Sequence, residues 1–442
     1  MRLAGNFFCI LQKEDIIMEK NIDNDFSLTP VSKEGRRGIV SMMAIMLGFT
    51  FYTGTMLTGG RLGTSLTFDD LALVLLIGDF ILGAYTALLA YMAGKTGLST
   101  HLLARYAFGE KGSYLVSGIL GLTQVGWFGV SVVMLALPIS KVFGLDVTPV
   151  ILVCGALMVT TAYFGVKSLT ILSVIAVPAI AILGCYSSSI SISEVGGISA
   201  LMNATDVSSM SLTLALSLVV GSFISGGTLT PDFARFSRTP RIAVLSTVAA
   251  FFIGNILMFA FGAIGGLAAG MPDISDVMIA QGLVVSGIVI LGLNIWTTND
   301  NTIYAASLAF SNITKMPKKR WVIINGVIST VFAMVLYNHF ISLLSFLSSI
   351  IPPLGAVMIM DYFFLNRKAY KVAFSEAKFA VINVPAVLAV VAGGIFGHLP
   401  AGVGCLNAVF GAMLTYGIFT EAQAWIARRR EERASIRMRK IA

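Results

Sequence analysis

Long apolar runs alternate with short polar punctuation along this chain, and each run is the length of a membrane crossing. Stretches able to traverse a hydrocarbon layer of about 30 Å fall at 38–60, 68–93, 113–140, 148–166, 168–192, 210–231, 242–268, 279–312, 321–338, 341–365, 378–397 and 402–427. They predict an all-α integral membrane protein with twelve transmembrane helices. The run 279–312 stands apart, because Thr297-Thr-Asn-Asp-Asn301 interrupts its apolar character.

Two runs carry one octapeptide pattern. Phe51-Tyr-Thr-Gly-Thr-Met-Leu-Thr58 in the first and Phe223-Ile-Ser-Gly-Gly-Thr-Leu-Thr230 in the sixth both fit F-x-[ST]-G-x-x-L-T. A glycine flanked by hydroxyl side chains weakens a helical ladder and competes for its hydrogen bonds. One copy carries little, since Gly and Thr are common in membrane helices. Two copies at matching places in two halves point to the binding site of a secondary transporter. If they correspond, spans one to five (38–192) and six to ten (210–365) are units with an odd number of crossings. The second unit then enters from the opposite side. This predicts the five-plus-five inverted repeat of LeuT-type transporters, with first and sixth helices broken near Gly54 and Gly226 and two additional helices over 378–427.

Composition narrows the class and charge sets the orientation. With 56% hydrophobic and 12% charged residues and a mean hydropathy of +0.87, the chain falls outside soluble proteins, in which about 25% of residues are charged. With the N-terminus inside, 26 of the 30 Lys and Arg lie on inner segments, and only Arg61 and Lys141 on outer loops. This positive-inside bias places the N-terminal tail (1–37) and the basic tail (428–442) in the cytoplasm. The run Arg428-Arg-Arg-Glu-Glu-Arg433 is then topology and contact with membrane lipid headgroups, and no nucleic-acid partner is implied by the net charge of +8. Residues 1–17 lack the apolar core and cleavage site of a signal peptide. Met18 is the more natural start, so 1–17 reads as upstream translation or an expression artefact. The four cysteines have no metal-ligand spacing, and the motifs of serine hydrolases, zinc proteases and P-loop NTPases are absent, so the chain is not read as an enzyme.

The residues able to carry chemistry sit inside the runs. Backbone freed at the first break offers the carbonyls of Gly48 and Phe51 to a hard cation. On the eighth span Asn294, Thr297 and Thr298 stand at i, i+3 and i+4 and share a face. Oxygen donors opposite a broken helix suit sodium; alternatively, the threonines bond the carbonyls of their own helix. On the third span Gln124 and Trp127 share a face. A mid-span Trp offers a stacking platform for a flat ligand, while Gln124 and Asn294 each supply donors and an acceptor for the edge of a neutral heterocycle. A packing Trp beside an inter-helix Gln is the competing reading. No Lys or Arg is expected to be buried within a span to meet an anionic substrate. Asp79 is the most deeply placed acid and a candidate proton acceptor. Asp232, Asp300 and Asp361 lie nearer cytoplasmic ends, where pairing with basic loop residues is expected.

Three of these motifs, Gln124-Val-Gly-Trp-Phe-Gly129, Val220-Gly-Ser-Phe-Ile-Ser-Gly-Gly-Thr-Leu-Thr-Pro-Asp232 and Leu293-Asn-Ile-Trp-Thr-Thr-Asn-Asp-Asn301, closely resemble the bacterial cytosine permease branch of the nucleobase–cation symporter family. So do Thr58-Gly-Gly-Arg-Leu-Gly63, Lys95-Thr-Gly-Leu-Ser-Thr-His-Leu-Leu-Ala-Arg105 and Ser275-Asp-Val-Met-Ile-Ala-Gln-Gly282, so that the likeness runs from about residue 29 to 425. The resemblance implies a heterocycle stacked on Trp127, its edge bonded by Gln124, in a pocket completed by Phe223 and Ser225. Asn294 is placed to help substrate and cation together. The resemblance also implies sodium bound between the Gly48 and Phe51 carbonyls and the Thr297 and Thr298 hydroxyls. Asp79 departs from the branch, where an uncharged polar residue is usual, and leaves room for proton coupling. The implied protein imports cytosine by sodium symport across a bacterial inner membrane, by alternating access, as a monomer. Its nearest rival is a proton-driven permease for another nucleobase or a hydantoin-like ring.

Overall fold

The first apolar run does not fold as one helix. Helix α1 (Ile39–Thr50) stops at Phe51 and Tyr52, whose φ/ψ of −74°/90° and −131°/127° are extended, and α2 (Thr53–Gly63) leaves at 50° to it. The break therefore lies two residues before Gly54, which falls in the first turn of α2. The computed structural model describes residues 26–164, 166–203 and 209–441, with side chains throughout these except at 166–173, 340–348 and 434–441. The expectation about residues 1–17 lies outside the described residues.

Beyond the break the chain runs through α3 (Phe68–Thr96), α4 (Thr100–Phe108), α5 (Gly112–Phe143), α6 (Val147–Tyr163), α7 (Val166–Glu194), α8 (Ile198–Met202), α9 (Leu212–Thr228) and α10 (Thr230–Ala234). Then follow α11 (Pro240–Ala269, with a π-helical stretch at Ala250–Asn255), α12 (Ile274–Ala280), α13 (Val284–Thr314), α14 (Lys318–Val331), α15 (Ala333–Asn338), α16 (Phe340–Met360), α17 (Val384–Gly397) and α18 (Gly404–Ile441). Helix starts carry their own chemistry: the Thr67 hydroxyl accepts the Asp70 N–H at 3.3 Å and the Asp146 carboxylate the Thr148 N–H at 2.8 Å. Among the described residues the β-structure is one parallel bridge between Arg37 and Ser237.

The distribution of side chains is that of a lipid-solvated body. Leu76, Phe80, Leu122, Phe164, Ile182, Val285 and Phe410 are all exposed, while Asp79, Gln124, Asn294 and Asp300 are buried. Four helical stretches, α3, α5, Val174–Glu194 and α11, are long and apolar enough to cross a membrane, and the bent pair α1–α2 makes a fifth. The chain is a multi-pass membrane protein.

The position of one expected helix break is corrected. Helix α9 continues through Gly226 and is interrupted only at Leu229. Its hydroxyls support the ladder: Ser222 donates to the Val219 carbonyl at 2.8 Å and Thr228 to the Ile224 carbonyl at 2.9 Å. The missing Cβ of Gly226 instead leaves room for the Phe223 and Phe49 rings. Helix α13 is continuous across Thr297–Asn301, and all five of those polar residues are buried, so that the helix is enclosed by protein on every side there. By contrast the ninth run divides at Phe332 into α14 and α15.

Packing holds the two halves of the first run differently. Helix α2 lies on α11 backbone to backbone: a Cβ at Gly262 would collide with the Met56 carbonyl, one at Gly59 with Phe259, one at Gly63 with Ala263 and one at Gly266 with Gly60. Glycines four apart on both helices create this approach. Helix α1 instead contacts α7, α11 and α13, and α5 lies along α13. The break is thus surrounded by α5, α9, α11 and α13.

Candidate substrate and cation site

A break in a membrane helix frees polar backbone groups that no solvent can satisfy. One side chain meets them here. Asn294 Oδ1 accepts the Thr53 N–H at 2.7 Å and the Thr53 hydroxyl at 2.6 Å, while Asn294 Nδ2 donates to the Phe51 carbonyl at 2.7 Å. A carboxamide suits the task because it carries donor and acceptor on one rigid plane.

The candidate cation ligands lie around this clamp. Thr298 Oγ1 is 3.4 Å from the Phe51 carbonyl and 3.2 Å from that of Asn294, whereas Thr297 Oγ1 donates to Asn294 at 2.7 Å. The fold therefore brings Phe51, Asn294 and Thr298 together directly. Thr297 is turned to its own helix one residue earlier. Gly48 is buried in the last turn of α1, where the final carbonyls of a helix lack partners further along the ladder.

The candidate substrate residues form the neighbouring wall. Trp127 donates its indole N–H to Ser225 Oγ at 3.0 Å, which ties α5 to α9. The Tyr52 ring meets Trp127 edge-on, with centroids 5.5 Å apart, and its hydroxyl lies 3.3 Å from Ser131 Oγ. Phe223 stands edge-to-face with Phe49 at 5.1 Å and with Phe251 at 5.2 Å. Gln124, one turn from Trp127, is buried, and its Nε2 has no hydrogen-bond partner among the described residues. A buried amide without a partner costs about 1–3 kcal/mol, a cost that a ligand's acceptor would remove. Phe51 and Tyr52, adjacent in sequence, serve the two sets separately: the Phe51 carbonyl faces the oxygen donors and the Tyr52 ring faces Trp127.

Tyr52 and Thr53 are the site residues that sequence reasoning passed over. Their signal was position alone, since Tyr52 fills a variable place in the octapeptide immediately after Phe51.

The acids expected to pair with basic loop residues have other partners. Asp232 accepts the Thr100 N–H at 2.8 Å, with His101 Nε2 at 3.6 Å. Asp300 accepts from the Thr161 hydroxyl at 2.6 Å, and that hydroxyl in turn receives the Trp296 N–H at 2.7 Å. Asp361 is held by Tyr370, Tyr416 and Asn366 at 2.6–2.7 Å. Each acid is buried. At the rim Lys141 does pair with an acid, Asp276 at 2.8 Å, and that hydrogen bond raises the lysine above its ordinary pKa.

With this geometry in view, the likeness to known proteins has a structural context. Residues 30–418 match the model of a family described as permeases for cytosine/purines, uracil, thiamine and allantoin. The chain is 52% identical over 394 residues to the cytosine permease of Escherichia coli strain K12, covering 89% of this chain and 94% of that protein. In fold it is similar to Mhp1, a nucleobase-cation-symport-1 family transporter solved in a closed conformation with bromovinylhydantoin bound. That match has a TM-score of 0.78 at 19% identity and covers 91% of this chain and 96% of that one. A Na+-coupled sialic acid symporter in a substrate-bound outward-open state matches with a TM-score of 0.68 at 14% identity, over 94% and 96% of the two chains. The fold is accordingly that of the Mhp1- and LeuT-like transporters, and the activity is transport rather than enzymatic catalysis. On its buried polar site, its fold and its sequence together, the chain belongs to the family of permeases for cytosine/purines, uracil, thiamine and allantoin.

Proposed function

We propose that the protein imports cytosine together with sodium by alternating access. The observation that carries this reading is the buried pair of Gln124, with its unpartnered amide, and Trp127, one turn away on α5. A neutral planar ring stacks on the indole, and its acceptors take the free Gln124 N–H. Phe223 and Ser225 close the pocket from α9, and Asn294 stands between substrate and ion. The E. coli relative's name supports cytosine as the ring.

Sodium is the co-transported ion in this reading, held by the Gly48 and Phe51 carbonyls with Asn294, Thr297 and Thr298. The donor set fits a small hard cation, being made of neutral oxygens beside a helix break. The Na+ coupling stated for the sialic acid symporter supports the choice. The ion restrains the junction of α1 and α2, and Tyr52 at that junction transmits the restraint to Trp127. Ion and substrate then raise one another's affinity reciprocally.

The architecture proposed with this function is twelve spans in a five-plus-five inverted repeat with two further C-terminal helices. Its domains are the tail 1–37, the repeats 38–192 and 210–365, the helices 378–427 and the basic tail 428–442. The pairwise packing of α3 on α11, α5 on α13 and α6 on α14 supports it, since a two-fold axis between repeats pairs spans two with seven, three with eight and four with nine. The protein works as a monomer in the bacterial inner membrane, with both termini cytoplasmic, lipid around it and no nucleic acid bound.

The test is binding of radiolabelled cytosine to purified protein with sodium or choline as the only cation. Sodium-dependent binding competed by cytosine and not by uracil is expected. Binding indifferent to sodium overturns the coupling ion, and no binding in either salt overturns the substrate.

A further inference from the structure

A groove of about 400 Å3 lies on the side of the molecule, lined by none of the residues placed around substrate and sodium. Its two walls are Phe80, Ala84 and Leu88 of α3 and Cys405, Val409 and Met413 of α18. Each set steps by four residues, so each wall follows one helix face for about 12 Å. The buried floor is Val220 and Ile224 of α9 with Ile359 of α16. Phe364 and Phe410 stand with Phe80 at the rim, and all three are exposed on the surface that meets the hydrocarbon of the membrane.

The chemistry and the shape of the groove select its occupant. Among the described residues that line it none is charged, and the one hydroxyl, that of Tyr85, is already bonded to Thr228 Oγ1 at 2.8 Å. Water finds no set of polar partners there. An empty apolar groove forfeits the contacts of every atom on its walls, so a hydrophobic occupant is expected. Spread over about 12 Å of helix, the volume of about 400 Å3 has a cross-section of about 33 Å2. A helix about 10 Å across needs roughly 80 Å2, so a span of a second copy does not fit inside. A single hydrocarbon chain does, lying parallel to α3 and α18 as lipid tails lie in a bilayer.

We propose that one acyl chain of a membrane phospholipid fills this groove and backs the α9 wall of the substrate pocket. Ile224 stands between Phe223 and Ser225 in sequence. Successive helical residues turn by about 100°, so the face of α9 that meets the chain lies behind the one that carries Phe223 and Ser225. Tyr85, also in the lining, ties this packing together: its hydroxyl reaches Thr228 of α9 and occupies the space that the missing Cβ of Gly355 leaves on α16. A filled groove holds α9 in place from behind, and an emptied one lets it retreat from the bound ring. Lipid and cytosine then raise one another's affinity, and this second half of the proposal rests on the cytosine reading above.

Two measurements on the full-length purified protein test it. Native mass spectrometry counts the phospholipids retained after a detergent wash. Ala84→Trp puts an indole into the groove from one wall and Val409→Phe a ring from the other, while Leu122→Trp, exposed on α5, leaves the groove open. The parent and Leu122→Trp should each retain one phospholipid more per chain than either groove variant. Equal retention in all of them overturns the site, as does a parent dimer that the groove variants dissociate. If one groove variant fails to fold, the other decides. The second measurement is equilibrium binding of radiolabelled cytosine to lipid-stripped protein, before and after phosphatidylethanolamine is added back in mixed micelles. The lipid should raise the affinity of the parent at least about fivefold and leave the groove variants, whose own side chains fill the space, unchanged. A parent affinity indifferent to the lipid overturns the link to α9. Absence of any cytosine binding overturns that link together with the cytosine reading, and the lipid count still decides the occupant.

Discussion

Asn294 uses both ends of its amide on one break, with Oδ1 on Thr53 and Nδ2 on the Phe51 carbonyl. Its neighbours divide the remaining work, and this separates two threonines that look alike in sequence. Thr298 reaches the Phe51 carbonyl while Thr297 is turned to its own helix. Thr298→Val should therefore weaken the sodium dependence of binding more than Thr297→Val, by about tenfold if one ion–oxygen contact worth about 1.4 kcal/mol is lost. Equal and negligible effects in a sodium titration would refute the ligand set. Trp127→Ala should cost about 1–3 kcal/mol of stacking, which is roughly 5- to 150-fold in cytosine affinity. Near-normal affinity by equilibrium binding would sink the stacked pose. The residue types were legible beforehand, because a mid-span Trp, a Gln on its face and a Thr-Thr pair are rare among apolar neighbours. The clamp was not, since it depends on which backbone groups the break releases.

Between residues and the whole lie the helices, and here the two octapeptides part company. The same glycine–hydroxyl chemistry follows a bent junction in the first run and continues as helix up to Leu229 in the sixth, where Ser222 and Thr228 bond to their own ladder. Local composition marked both places as weak, and packing decided at which residue each helix is interrupted. Helix α2 has its own anchor in the glycine seam with α11. Gly262→Ala would drive a methyl into the Met56 carbonyl, and overpacking of this kind costs about 1–3 kcal/mol. A lower melting temperature in detergent is expected. Gly118, half-buried and with nothing within 4 Å of an added Cβ, is the control, and an equal response of the two variants would deny the seam its role.

For the molecule as a whole, the charge pattern carries the proposed orientation in the membrane. A single cysteine introduced at Lys141 in a cysteine-free background should react with a membrane-impermeant maleimide in intact cells. One introduced at Lys319 should react only after permeabilisation, and the reverse pattern would invert the topology. Hydropathy determined by itself that this is a helical membrane protein and where its runs lie, and the bias of Lys and Arg gives the orientation proposed for it. Those properties follow from the solvent each segment meets, one segment at a time. Where the first helix breaks and what satisfies it were decided by tertiary structure alone. The Phe51 carbonyl and Thr53 N–H are completed by a side chain 241–243 residues further along the chain, and a partner at that separation is set by helix packing, to which no local pattern is sensitive.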